Sequence, residues 1–182
     1  MATDTLNAMG VVSKEIDDEK GTRYHDHFLE FLKYYQANDL VGSTSQTDPK
    51  GDRKARPFQQ KDPDLYLHVV KKNSKGIVVR GAKNHITMGP YVDEHLVLPT
   101  RNMTKEESDW AVSFAIPADT DGIRIISRIV TPRGRIDLRA PYNNYGVSDS
   151  VVIFDNVFVP WERVFMCGEW EFAGRLALTF AG

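Results

Sequence analysis

A single cysteine, Cys167, stands among the 182 residues. One thiol closes no internal disulfide and holds no metal cluster alone, and its scarcity fits a reducing compartment. No apolar run approaches the roughly 20 residues that span a membrane. Met1-Ala2-Thr3-Asp4-Thr5 lacks the basic and apolar regions of a secretory leader. The formal net charge is −2, so no basic field invites nucleic acid. There is no Gly-rich loop ending in Lys-Ser/Thr, no internal repeat and no low-complexity tract. These absences predict a cytoplasmic protein with neither a nucleic-acid nor a membrane partner. What is present is an ordinary globular composition, 41% hydrophobic and 26% charged, in a chain long enough to bury a core.

The first forty residues read as helical. Asp4 or Thr5 caps a helix carrying Leu6, Met9, Val12 and Ile16, which ends near Gly21. Thr22 caps a second, where Tyr24, Phe28, Phe31, Leu32 and Tyr35 form one apolar stripe and Asn38 marks the stop. Val41–Thr44 reads as a short strand. Ser45–Pro63 is polar, holds three prolines and reads as a long loop, a feature that is commonly functional or disordered.

Strand signals then crowd together. They fall at Leu65–Val70, at Ile77–Arg80 after the turn Ser74-Lys75-Gly76, and at Glu94–Leu98, Ala111–Ile116, Ile123–Ile129 and Val151–Val159. Thr104-Lys105-Glu106-Glu107 reads as one capped helical turn. Turn signals, Pro132-Arg133-Gly134 among them, separate the strands, and no helices intervene. That arrangement predicts an α+β chain that is mainly β: an antiparallel barrel or sandwich, preceded by two helices and followed by the start of another. The run Asp155–Trp161 reads as the last strand, closed by Pro160. Trp170-Glu171-Phe172-Ala173-Gly174-Arg175-Leu176 then begins a helix that stops at Gly182, which predicts a second domain cut short. Trp161, Phe165, Trp170 and Phe172 are then expected at an exposed apolar surface that promotes self-association.

Three places concentrate chemistry. Gln46-Thr47-Asp48-Pro49-Lys50-Gly51-Asp52-Arg53 is either a solvated turn or a site presenting N–H groups and Arg53 to an anion or polar heterocycle. In Arg80-Gly81-Ala82-Lys83-Asn84-His85-Ile86-Thr87-Met88-Gly89, His85 and Thr87 share a side if the backbone stays extended, and His85 is either a ligand or a satisfied structural or surface group. Asp149 is a strand-start carboxylate or points into a site. Arg133, Arg135 and Arg139 form a cationic stretch that is either solvated or faces a phosphate. No nucleophilic triad is evident. His25, His27, His68 and His95 show no metal spacing, since His25 and His27 sit two apart on a helix and diverge.

One ordered set of segments carries a resemblance. Lys50-Gly51-Asp52-Arg53, Asp62-Pro63-Asp64-Leu65-Tyr66, Gly76-Ile77-Val78-Val79-Arg80-Gly81-Ala82-Lys83, Leu98-Pro99-Thr100, Ala111–Pro117 and Phe154–Glu162 together resemble the flavoproteins that group 4-hydroxybutyryl-CoA dehydratase with 4-hydroxyphenylacetate 3-monooxygenase. Phe165–Gly174 brings the chain nearer the dehydratase branch. The resemblance implies a fold similar to acyl-CoA dehydrogenases, with residues 1–40 ending a helical domain, 41–165 forming a flavin-binding β-barrel and 166–182 starting a helical domain. It implies FAD contacts from Gln46, Thr47, Asp48, Lys50, Gly51, Asp52, Arg53, His85 and Thr87. Asp149 then falls where a substrate-side glutamate is expected, one methylene shorter. The resemblance further implies an acyl-CoA substrate, conversion of 4-hydroxybutyryl-CoA to crotonyl-CoA by a lyase, and a homotetramer. It also implies a [4Fe–4S] cluster whose ligands this sequence lacks, which leaves Cys167 a bystander thiol and predicts that the chain by itself is inactive. The alternatives are a flavin-dependent aromatic hydroxylase and a non-catalytic binding or assembly module.

Overall fold

The structure is a computed structural model that describes residues 2–128 and 148–181. Among the described residues two helices, α1 (Ala2–Lys20) and α2 (Tyr24–Ala37), precede eight strands. The strands are β1 (Gly42–Ser45), β2 (His68–Asn73), β3 (Gly76–Thr87), β4 (Glu94–Val97), β5 (Val112–Pro117), β6 (Ile123–Ser127), β7 (Asp149–Pro160) and β8 (Val164–Cys167). Helix α3 (Trp170–Ala181) follows. The strands form two four-stranded sheets, ordered β1-β4-β5-β8 and β2-β3-β7-β6. This is the expected mainly-β α+β architecture. Arg133, Arg135 and Arg139 lie outside the described residues, as do the turn Pro132-Arg133-Gly134 and the end of the strand expected to reach Ile129.

The sheets close on each other through apolar residues that alternate along the strands, as a two-layer core requires. Phe114 of β5 meets Phe154 of β7 edge to face, with ring centroids 6.1 Å apart, and Ile77, Val79, Val152, Val157 and Val159 are fully buried. The helices pack on the outer side of the first sheet, where Phe165 of β8 meets Phe28 and Phe31 of α2 at 5.6 and 5.5 Å. Arg163 makes two 2.9 Å bonds to the buried carboxylate of Glu94. Its guanidinium also lies over the rings of Phe31 and Tyr34, fastening α2 to the sheet.

Four details depart from expectation. Thr22 does not cap α2. Its hydroxyl donates to Asp17, whose two carboxylate oxygens accept the N–H groups of Tyr24 and His25 at 2.9 Å each. A carboxylate from α1 therefore caps α2 across the turn, which suits the positive end of that helix dipole. Asp155–Trp161 is not the last strand, because Val164–Cys167 adds β8 on β5, so Met166 and Cys167 are sheet residues and α3 begins at Trp170. Phe165 is consequently core, not exposed. Finally, β1 pairs with β4 in parallel, Ser43 opposite His95, while the other strand pairings among the described residues are antiparallel. The forty-odd residues between them cross to the second sheet and back, as a parallel pair demands.

One glycine is required by close approach. Gly81 adopts φ +124°, and a Cβ there would fall 2.6 Å from Leu67 Cα. It sits at a register shift in the β3–β7 ladder, so the backbone bends where β3 turns toward the loop.

Candidate functional site

The loop after β1 is tied down by a buried cation. Lys83 of β3 is only 3% exposed. Its Nζ donates to Gln46 O at 2.8 Å, Asp48 Oδ1 at 2.7 Å and Leu98 O at 3.2 Å. Asn84 N donates to Thr47 O at 2.7 Å, and Thr100 Oγ1 to Gln46 O at 2.7 Å. The second half of the loop folds around buried Gln60. Asp52 N donates to its Oε1, and its Nε2 donates to Asp52 O and Ala55 O. Asp52 accepts Lys54 N in a local turn. The Asp48 carboxylate is thus engaged in the interior and that of Asp52 in an exposed local turn.

Beyond Lys83 the strand changes phase. The β3–β7 register shifts between Lys83 and Ile86, and His85 sits at φ 55°, a region that non-glycine residues seldom occupy. The bulge keeps Lys83 and Ile86 both buried while His85 and Thr87 stay on the other side. The two side chains therefore share a side through a bulge and not through an extended backbone. His85 Nδ1 lies 3.2 Å from Asp149 Oδ2, and Thr87 is directly opposite Asp149 in the ladder.

These segments surround a cavity of about 280 Å³ lined by Gln46, Thr47, His85, Thr87, Met88 and residues 42–44 of β1. Asp48, Lys50, Gly51, Asp52 and Arg53 line a neighbouring cavity of about 210 Å³ with Tyr66, Thr100 and Arg101. There the Arg101 guanidinium lies over the Tyr66 ring at 5.6 Å. Asp149 and His85 border a third cavity of about 330 Å³. Among the described residues, the side chains of Thr47, Lys50, Arg53 and Thr87 make no hydrogen bond or ion pair. They are the polar groups left over for a ligand, two hydroxyls at one end and two cations at the other. A larger groove, about 740 Å³, runs between α1 and α2 past Leu6, Val11, Phe28 and Leu32, and contains none of the loop residues.

The expected site residues therefore converge, but in two adjoining parts joined by one loop. Lys83, Gln60, Arg101 and Ser43 belong to its frame and were not anticipated as site residues. The spacing signal for Lys83 was present: it alternates in phase with Ile77, Val79 and Gly81, all buried. Cys167 is buried, and that burial pushes its thiol up, opposite to the shift that activates a cysteine. Among the described residues no three His, Cys, Asp or Glu side chains cluster as metal ligands, and no helix is long and apolar enough to cross a membrane.

Comparison with known proteins follows the same lines. The chain is 46% identical over 98% of its length to 4-hydroxybutyryl-CoA dehydratase/vinylacetyl-CoA-Δ-isomerase of Clostridium aminobutyricum, of which it covers 38%. Its fold is similar to that of an archaeal 4-hydroxybutyryl-CoA dehydratase from N. maritimus, with a TM-score of 0.88 and 38% identity over 96% of this chain and 36% of that one. It is also similar to the oxygenase component of 4-hydroxyphenylacetate 3-monooxygenase complexed with FAD, with a TM-score of 0.81 and 29% identity over 97% of this chain and 36% of that one. The chain thus spans little more than a third of the length of each. Residues 1–166 match the family described as 4-hydroxyphenylacetate 3-hydroxylase N terminal, and the chain belongs to that family of enzymes.

Proposed function

We propose that this chain is the flavin-holding part of a 4-hydroxybutyryl-CoA dehydratase-type enzyme, with residues 41–165 as the flavin-binding unit. The observation that carries the reading is the convergence of the Lys83-anchored loop and the His85-x-Thr87 bulge on one cavity. The 46% identity to the dehydratase, against 32% and 34% to oxygenase components of 4-hydroxyphenylacetate 3-monooxygenase, favours the dehydratase branch over aromatic hydroxylation.

FAD suits the residues present. Its diphosphate needs cations, and Lys50 and Arg53 stand together at one end with no internal partner to give up. Its ring system needs hydrogen-bonding groups around a flat apolar face, and Thr47, Thr87, His85 and Gln46 stand around Met88 and Val92. When bound, FAD supplies electron transfer to and from the substrate. The chain's part is to hold and orient that group. Lys83 fixes the loop backbone, and Asp149 holds the imidazole of His85 by accepting from Nδ1 when that nitrogen carries the proton. Asp149 also borders the neighbouring cavity, which supports reading it as the substrate-side carboxylate.

A [4Fe–4S] cluster does not fit the described residues. It takes four ligands, commonly thiolates, and Cys167 is one buried thiol whose deprotonation burial opposes. We assign no step of this chain's chemistry to a cluster, and place any such ligands on other residues of the complete enzyme, along with the acyl-CoA reaction and homo-oligomeric assembly.

The test is FAD titration followed by flavin fluorescence. It uses the chain itself and a chimera in which the chain replaces the matching segment of the Clostridium relative. Saturable binding is expected, weaker for the chain alone. His85→Ala and Thr87→Val should each weaken it about 5- to 10-fold, the worth of one hydrogen bond, without changing thermal stability in step. No uptake by either protein refutes the reading.

A further inference from the structure

The cavity of about 280 Å³ has a wall from outside the sheets. Phe180 of α3 lines it, beside Val41, Thr44, Met88 and Val92. Imidazole apart, no other lining side chain is aromatic.

Two features of α3 turn that ring toward the cavity. Ala173, Leu176, Ala177 and Phe180 share one face of the helix. Ala173 and Leu176 are buried, and Phe180 packs against the core at the end of the same stripe. The helix also runs antiparallel to α1. Glu171 pairs with Lys20, and Arg175 donates to Glu15 at 2.9 and 3.1 Å. The last turns of α3 therefore lie toward the first turns of α1. There Thr5 Oγ1 is 2.6 Å from Thr44 Oγ1, and Thr44 lines the cavity. Helix face and helix direction thus both bring Phe180 to this place. It is half-buried there, not sealed into the core.

A flat apolar ring on a cavity wall discriminates among ligands. A small polar molecule gains little from it. A fused heteroaromatic system gains contact area and the offset or edge-to-face arrangement that π systems favour.

We propose that Phe180 is a binding residue whose ring packs against the heteroaromatic ring of the ligand in this cavity, so that α3 completes a site begun by β1 and the β3 bulge. That the heteroaromatic is a flavin rests on the reading given above; the placement of Phe180 on the cavity does not. A phenylalanine that only filled core would change stability and leave the ligand's affinity and emission as they are.

Two measurements test it. In the ligand-free chain, methyl-resolved NMR should show nuclear Overhauser contacts from the Phe180 ring protons to the methyl groups of Val41, Thr44, Met88 or Val92. Contacts to none of them overturn the placement. FAD titration on the chain or the chimera then reads the contact itself. Phe180→Ala should weaken binding about 10-fold, and Phe180→Leu, which keeps apolar area but no ring, about 2- to 5-fold. Phenylalanine is hard to oxidise, whereas tryptophan in van der Waals contact donates an electron to an excited flavin and quenches it. Phe180→Trp should therefore retain affinity and shorten the excited-state lifetime of the bound flavin severalfold. An unchanged lifetime in Phe180→Trp at saturating FAD overturns the proposal, as does wild-type affinity in Phe180→Ala. Absence of FAD uptake by the wild-type protein overturns the flavin reading and the ligand named here, while the placement, measured without ligand, stands or falls separately.

Discussion

Replacing Lys83 with methionine will destabilise the chain by about 3–5 kcal/mol, the usual cost of removing one partner of a buried ion pair. Lys83 and Asp48 are nearly solvent-free, with side chains 4% and 12% exposed. Methionine keeps the volume but strands the Asp48 carboxylate and takes the donor from the carbonyls of Gln46 and Leu98. Because those partners belong to the loop and to the exit of β4, the same change should loosen the loop and weaken FAD binding. Lysine to arginine will not rescue it, since a planar fork cannot copy three bonds converging on one ammonium. Adding Asp48→Asn to Lys83→Met should cost less than the sum of the two single changes, because the stranded charge is gone. Denaturant unfolding measures all four variants. A loss under about 1 kcal/mol for Lys83→Met, as for an exposed pair, would show that the lysine does not anchor the loop.

The second large effect is an acid limb due to His95. Its folded-state value lies near 4, against about 6.5 for an unfolded histidine. Between those values the unfolded chain binds a proton that the folded chain excludes. Stability from this group is therefore complete above pH 6.5 and falls as pH drops toward 4. The difference corresponds to about 3 kcal/mol at the bottom of the window. The cause is desolvation alone, so salt should change the slope little. Glu94, beside it in sequence, works in the opposite sense. Burial raises its carboxyl despite the Arg163 bond, so its contribution is greatest at low pH and is lost as pH rises through its folded value. Subtracting the stability curve of His95→Asn from that of the wild type isolates the histidine. A flat difference between pH 6.5 and 4 would mean the imidazole is reached by water or protonated in the fold.

The two helices, seven of the eight strands and the polar loop were legible because their patterns are local: a 3.6-residue stripe in α2, alternation in β3 and β7, prolines in the loop. Val164-Phe165-Met166-Cys167 was not read as a strand because four consecutive apolar residues, buried on both faces of β8, carry no alternation. The parallel β1–β4 pair was hidden for a different reason. It joins residues about fifty apart, and nothing in Gly42–Ser45 announces its partner. At the site, His85 and Thr87 were visible as polar residues crowding a strand end. The bulge that sets their direction was not, since His85 has no glycine-like signature for its φ of 55°. Lys83 falls in phase with the buried positions of β3, but its oxygen partners come from segments distant in sequence. Only the fold reveals that the strand turns it inward onto three oxygens.

The central claim is that the loop 46–53 and the bulge 83–87 together receive a flavin. Amide hydrogen exchange with and without FAD, on the chain or the chimera, tests it most directly. The account predicts FAD-dependent protection concentrated in 42–53 and 83–88, lost in Lys83→Met and unchanged along α1. Protection confined to the groove between α1 and α2, or none at saturating FAD, would contradict it.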